Sequence, residues 1–246
     1  MRPAIIPQRF SAFDKLSSAD VQALLAGASS RATAAGFALK HRHVAVLCEQ
    51  TLSAPADALA AAASALGATV VRLRPSGLKL RDRAGLGDAA TLLGRLYCLI
   101  CTEGLRPSAN AALVDLAGVP LLSDVTAAWH PARVLADLLV MQEFAGRPAA
   151  AIRLGLAAGT EPATLQAWHL AAGLTGLQLI GIKQAPLVLA PPACDFYVGC
   201  GPQCGEPRRQ HLVVVGHSAG RYTCLAAQQL DAQQRLLQSL MTHLVG

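Results

Sequence analysis

Residues Trp129-His130-Pro131-Ala132-Arg133-Val134, continuing to Glu143, pair a histidine-proline turn with a helical run. Three other groupings have residue types that do chemistry. Leu212-Val-Val-Val-Gly216-His217-Ser218-Ala219-Gly220 reads as a Gly-x-Ser-x-Gly nucleophile elbow, a hydrophobic strand followed by a sharp turn and a helix. A serine hydrolase of that kind needs its acid and then its histidine later in the chain. Asp231 and His243 are the candidates there, and 12 residues apart on one helix they stand ~18 Å apart along its axis, too far for both to meet Ser218. Cys98-x-x-Cys101 lies in an apolar strand, where residues three apart face opposite sides and cannot chelate together. Cys194, Cys200 and Cys204 with His211 could bind zinc, although their spacing matches no tight zinc template. His169 follows Trp168 within a helix and reads as a packed or surface residue, and His41 and His43 flank a strand start with no further signal.

Composition narrows the field. The chain has 246 residues, 53% of them hydrophobic and only 4% aromatic, enough for one large core or two modest ones. Its net charge of +6 suits an anionic small molecule. The bases are dispersed without aromatic interleaving, so nucleic acid is not an expected partner. Asp57, Asp115 and Asp137 interrupt the longest apolar stretches, and no membrane span is expected. Met1-Arg-Pro-Ala-Ile-Ile-Pro7 lacks the apolar core of a signal peptide, so a cytoplasmic location is expected. Seven scattered cysteines favour free thiols there.

The elements that would position these residues alternate. Helix is expected over 17–35, opened by Ser-Ser-Ala-Asp, then strand at 43–48, helix at 55–66 stopped by Gly67, and strand at 69–73. A basic loop over 74–83 leads to helix 88–96, strand 97–102, helix 110–117, strand 119–122 and the helix after Pro131. Gly146-Arg-Pro148 breaks the pattern and marks the expected domain boundary. Beyond it come strand 150–156, helix 161–174 with Thr160 as a plausible N-cap, strands 177–182, 196–198 and 212–215, and a closing helix over 224–244. Such alternation implies an α/β fold of two domains, each a parallel sheet flanked by helices.

The His130 segment resembles the His-Pro-x-Gln-x-Leu-x-Asp segment of the aspartate/ornithine carbamoyltransferases, and the order of elements is similar from end to end, most clearly over 43–143. The resemblance implies that residues 1–145 correspond to a carbamoyl-phosphate domain with helix 224–244 packed back on it. Residues 146–246 then correspond to a shortened amino-acid domain. It also implies a homotrimer with active sites between subunits, no cofactor or metal, and carbamoylation of an amino acid as the reaction. His130 would polarise the carbamoyl oxygen.

The site motifs depart from the family pattern. Where the family has Ser-Thr-Arg-Thr-Arg, this chain has Leu52-Ser53-Ala54-Pro55-Ala56, followed by Asp57. Pro55 removes a donor, and Asp57 would cap the helix dipole and repel a phosphate. Cys101 replaces the arginine that touches the carbamoyl oxygen, whereas Thr102 agrees with the family threonine, and Arg133 replaces a glutamine. At about 1.5–3 kcal/mol per charge-assisted hydrogen bond, losing three arginines would weaken phosphate binding by ~4–9 kcal/mol, roughly 10³–10⁶-fold.

The expected anion site therefore comprises Ser53, Thr102, His130, Arg133 and, from a neighbouring subunit, Lys79 in the loop Arg72–Arg83, which carries five bases in twelve residues. On the amino-acid side, Asp195-Phe-Tyr-Val-Gly199-Cys200-Gly201 keeps the acid of Asp-x-x-x-Ser-Met-Gly and loses the serine. His217-Ser-Ala-Gly-Arg221 stands where His-Cys-Leu-Pro would be, giving Asp195, Cys200 and His217 as that site. The resulting expectation is a divergent carbamoyltransferase-like protein with weak or lost activity. A non-catalytic binding or scaffold homologue is the alternative, and the serine hydrolase is a second one. A small anion or an amino acid is the expected partner.

Overall fold

A computed structural model describes residues 9–10, 13–29, 37–50, 53–78, 80, 83–157, 160–181, 194–199, 213–218 and 221–245. It divides into two compact units. The first comprises Met1–Ser11, Ala26–Thr126 and Gln234–Gly246, the second Ala12–Leu25 and Ala127–Gln233.

The first unit is built on five parallel strands in the order β1-β5-β4-β2-β3, namely β1 (Arg9–Phe10), β2 (His43–Leu47), β3 (Thr69–Leu73), β4 (Leu99–Thr102) and β5 (Leu121–Ser123). Val44, Ala45, Val46 and Leu47 are all buried, as a central strand covered on both faces requires. The connecting helices are α2 (Ala54–Ala65), α3 (Arg83–Leu96) and α4 (Pro107–Ala117). Proline in the first turn opens α2 and α4, and left-handed Gly118 ends α4. The core joins Leu47, Leu93, Ile100, Leu113 and Leu121. Helices α3 and α4 approach closely at Gly94, where a Cβ would collide with the carbonyl of Ala117.

The second unit carries the order β10-β9-β8-β6-β7, from β6 (Arg153–Leu156), β7 (Gln178–Gly181), β8 (Phe196–Gly199), β9 (Val213–Ser218) and β10 (Arg221–Cys224). Strands β7, β6 and β8 are parallel, and β9 and β10 extend the sheet as an antiparallel ribbon. Helices α5 (Pro131–Ala145) and α6 (Pro162–Thr175) belong to this unit. Helix α5 is buried around most of its circumference from Pro131 to Met141, and α6 anchors itself with fully buried Trp168. Two helices, α1 (Ser18–Ser29) and α7 (Ala226–Val245), give one end to each unit. Helix α1 starts in a capping box: Asp20 Oδ2 accepts from the Ser17 N–H at 2.8 Å, and Ser17 Oγ accepts from the Asp20 N–H at 3.2 Å.

Three sequence expectations change here. The boundary falls at Thr126/Ala127 and not at Gly146, so α5 joins the second unit. Gly146 is the left-handed C-cap of α5, with φ 62° and its N–H on the Gln142 carbonyl at 2.9 Å, a turn inside a unit and not a linker. Glu161, not Thr160, is the N-cap residue of α6, while the Thr160 hydroxyl donates to the Ala157 carbonyl at 2.7 Å. The nucleophile elbow is absent, because His217 and Ser218 lie in β9, with Ser218 opposite Arg221 of β10, and the next helix starts only at Ala226. Gly216 of that motif answers to packing: a Cβ there would lie 2.8 Å from the Phe144 ring and 3.2 Å from that of Phe196. The serine-hydrolase alternative thus lacks the strand-turn-helix geometry that suggested it.

Candidate functional site

In the first unit, β2 delivers the chain to Cys48, Glu49 and Gln50 and then to Ser53, the N-cap of α2. Ser53 Oγ accepts from the Ala56 N–H at 3.5 Å, so one donor of the helix start is already occupied. Asp57, in the first turn, pairs with Arg72 at 2.7 Å. Glu49 next door accepts from the Ser76 N–H at 2.6 Å and from its hydroxyl at 3.0 Å, which fastens the basic loop to the end of β2. A cavity of about 110 Å³ opens between these groups, lined by Val46, Cys48, Gln50, Ala56, Arg72, Leu73 and Arg74. Lys79 lies outside the described residues.

The strand order makes the C-terminal ends of β2 and β4 a topological switch point, where open α/β sheets hold their ligands. Thr102 ends β4 there, fully buried, and its hydroxyl donates to Asn110 Oδ1 at 2.8 Å. Its only proton is thus committed, and towards a ligand the hydroxyl can only accept. Cys101 is buried beneath it, and desolvation pushes its thiol far up, as a core residue rather than a nucleophile. Beyond Thr102 the backbone N–H of Glu103 donates to the Leu47 carbonyl at 3.0 Å, tying the two strand ends together. The Glu103 carboxyl keeps its Oε1 buried with no hydrogen-bond partner. Burial, seconded by the Asp124 carboxylate and opposed by the Val125 N–H, raises its pKa to about 8. Asp124 itself holds a left-handed φ of 52°, fixed by its N–H on the Thr102 carbonyl at 3.0 Å and by the Gly104 N–H on its Oδ1 at 2.9 Å. Sequence reasoning missed Glu103; its one signal was an acid directly after the apolar strand Leu99–Thr102.

In the second unit, His130 is the fully buried N-cap of α5. Its Nδ1 accepts from the Ala132 N–H at 3.1 Å, which leaves the ring proton on Nε2 and makes that nitrogen a donor. Trp129 stands beside it, partly exposed, with ring centroids 6.0 Å apart. Arg133 is turned into the protein, its Nε 3.3 Å from Asp137 Oδ1. Asp137 also accepts from Gln229 Nε2 at 2.7 Å. Burial raises the Asp137 pKa despite these partners.

Asp195 is similarly engaged. It pairs with Arg147 at 2.8 Å and Arg153 at 3.4 Å, and accepts from the Arg153 N–H at 2.8 Å. Burial works against its ionisation, but the Arg153 N–H and the two guanidinium groups outweigh it and lower the pKa. Cys200, Cys204 and His211 lie outside the described residues, as does the side chain of His217. No cluster of metal-ligating side chains occurs among the described residues, whose cysteines Cys48, Cys98, Cys101, Cys194 and Cys224 are free thiols. His169 is exposed on α6. No helix among the described residues is long and apolar enough to cross a membrane.

No family model matches the chain. Ornithine carbamoyltransferase of Cutibacterium acnes is 36% identical over 110 residues, 45% of this chain and 33% of that protein. A catabolic ornithine carbamoyltransferase of Haemophilus influenzae is 34% identical over 110 residues, again 45% of this chain and 33% of that protein. Among solved structures, ornithine carbamoyltransferase from Thermus thermophilus is 28% identical with a TM-score of 0.60, covering 72% of this chain and 61% of that one. Over these matched stretches the chain is a homologue of ornithine carbamoyltransferases. A putative aspartate carbamoyltransferase from Trypanosoma cruzi matches this homologue in fold over 99% of this chain and 98% of that one, with a TM-score of 0.70 and 16% identity. The alignments with the curated relatives span about a third of their length, 33% in each case. In this carbamoyltransferase homologue the predicted residues fall into separate sets. Ser53 lies by the first unit's cavity and Thr102 at its crevice, whereas His130, Arg133 and Asp195 belong to the second unit.

Proposed function

We propose that this carbamoyltransferase homologue is a divergent protein in which carbamoylation of an amino acid from carbamoyl phosphate is weak or lost, and which retains a weak site for a small oxyanion. One observation carries the reading: the Arg72 guanidinium beside the start of α2 is held by Asp57 at 2.7 Å. Transfer of a carbamoyl group needs cations around the phosphate and donors at the carbonyl oxygen where charge develops. A cation already matched by a carboxylate does little for the first need. For the second, among the described residues, we propose His130 Nε2 as the catalytic donor to the carbonyl.

Ser53 and the loop carrying Lys79 complete the proposed anion site, with Lys79 supplied by a neighbouring copy in a homotrimer, while Thr102, its proton committed to Asn110, lines that site without donating to the anion. Arg133 and Asp195, proposed for anion and amine respectively, are each held in internal ion pairs, which supports reduced activity on both sides of the reaction. Cys200 and His217 remain the other proposed amino-acid contacts. The same reading places the protein in the cytoplasm.

The test supplies purified protein with carbamoyl phosphate and either ornithine or aspartate and follows citrulline and carbamoyl-aspartate. The expected result is product at or near the uncatalysed background. Turnover in the ordinary enzymatic range of ~1–10³ s⁻¹ would overturn the proposal.

A further inference from the structure

We propose that the cavity of the first unit takes a small monocarboxylate with a short apolar body, of the size of propionate. This rests on the oxyanion site proposed above and names the class of anion that the cavity fits.

Size sets the first limit. The cavity measures about 110 Å³. An apolar cavity of about 150 Å³ holds the six carbons of benzene, so this one takes about four or five non-hydrogen atoms. Acetate, propionate and sulfate all meet that limit, and charge and wall chemistry separate them.

The charge suits a monoanion. Arg72 and Arg74 both line the cavity, and Asp57 meets Arg72 Nη2 at 2.7 Å. Glu49 does not line it, its carboxylate accepting from the Ser76 N–H and hydroxyl. Two guanidiniums against one carboxylate leave a single positive charge, so a dianion would keep half its charge unmatched. A guanidinium carries five N–H donors in a planar fork, and with Asp57 on Nη2 it can still present donors to a planar carboxylate.

The other walls suit an alkyl group. Val46 and Ala56 are buried, Leu73 is half-buried, and Cys48 adds a thiol that behaves as a small hydrophobe. Sulfate points oxygens in every direction and would lose water against these side chains without regaining hydrogen bonds. An alkyl chain gains up to about fourfold in affinity for each methylene taken out of water.

Cys48 reports occupancy in place, since it lines the cavity, whereas Cys224 is an exposed thiol outside it. The full chain is alkylated with iodoacetamide at constant pH and ionic strength, and the rate at each thiol is read by peptide mass spectrometry. Propionate, acetate, propionamide and sulfate are added in turn, and the same four are ranked calorimetrically, which decides the class if Cys48 alkylates too slowly. Propionate should slow Cys48 and spare Cys224, with an affinity about two- to fourfold above that of acetate. Sulfate should bind more weakly than propionate, propionamide should not protect, and R74Q should weaken the protection by propionate several-fold. Sulfate binding more tightly than propionate would overturn the carboxylate assignment and leave the oxyanion reading standing. So would propionamide as effective as propionate, or bound propionate that leaves a reactive Cys48 unprotected. Calorimetry showing no binding of either anion would overturn both.

Discussion

Replacing Asp57 with asparagine removes the carboxylate that holds Arg72 while preserving shape. The two side chains are 54% and 47% exposed, so the pair contributes no more than about 0.2–1 kcal/mol to stability. Asp57 also favours the positive end of α2 by about 0.3–1 kcal/mol. The D57N chain should therefore fold with a loss below about 2 kcal/mol. What it gains is a guanidinium lining the cavity of about 110 Å³ without a carboxylate on it. A charge-assisted hydrogen bond contributes about 1.5–3 kcal/mol when well shielded. Discounted for solvent at this half-exposed position, ~1–2 kcal/mol remains, a gain of roughly 5–30-fold in anion affinity. Calorimetric titration with sulfate at low ionic strength reads this directly, and added salt should erode it. The double variant D57N/R72A should lose the gain. Unchanged sulfate affinity in D57N, or a gain that persists without Arg72, would refute the reasoning.

Glu103 links folding to pH. Between its ordinary pKa of 4.5 and its folded value of about 8, the folded chain keeps a proton that the unfolded chain releases. The contribution of Glu103 to stability is therefore fullest below pH 4.5 and declines as pH rises towards 8, by an amount on the order of 4 kcal/mol. Urea denaturation at pH 5, 7 and 9 should show a distinctly steeper decline in wild type than in E103Q, which keeps only the smaller share owed to groups such as Asp137 and Cys101; parallel profiles would contradict it. Truncation of Asp137 leaves Arg133 and Gln229 facing a buried void, so D137A should lose about 3–5 kcal/mol and D137N clearly less. Equal losses in thermal denaturation would show that charge and hydrogen bonding at that site do not matter. A methyl group at Gly216 meets the Phe144 ring at 2.8 Å, so G216A should cost about 1–3 kcal/mol through overpacking. A melting temperature equal to wild type would refute the tight packing of that strand.

Local signals carried much of the fold. Prolines 55, 107, 131 and 162 stand in first helical turns, and Gly118, Gly146 and Gly176 adopt the left-handed caps at the ends of α4, α5 and α6. The apolar run ending at Leu47 reads as a covered strand because it is one. Gly146 misled, since the chemistry of a helix cap and that of a linker look alike in sequence. So did Gly216-His-Ser, whose glycine makes room for two aromatic rings that come from elsewhere in the chain.

At the candidate site, residue types were legible and their availability was not. The pairs Arg72–Asp57 and Arg147–Asp195 join distant positions, and only the folded chain shows that these charges are engaged with each other. The position of His130 at a helix start followed from Pro131, but the tautomer followed only from its bond to the Ala132 N–H. Glu103 carried no motif, because its character comes from burial and from Asp124 just beyond the end of β5.

Calorimetry of the wild-type protein with carbamoyl phosphate is the most direct test of the central claim that the cations of this fold have been neutralised from within. Dissociation in the millimolar range or weaker is predicted. A micromolar constant would contradict it, since at about 8 kcal/mol of binding energy the phosphate would need cations that Asp57 does not hold.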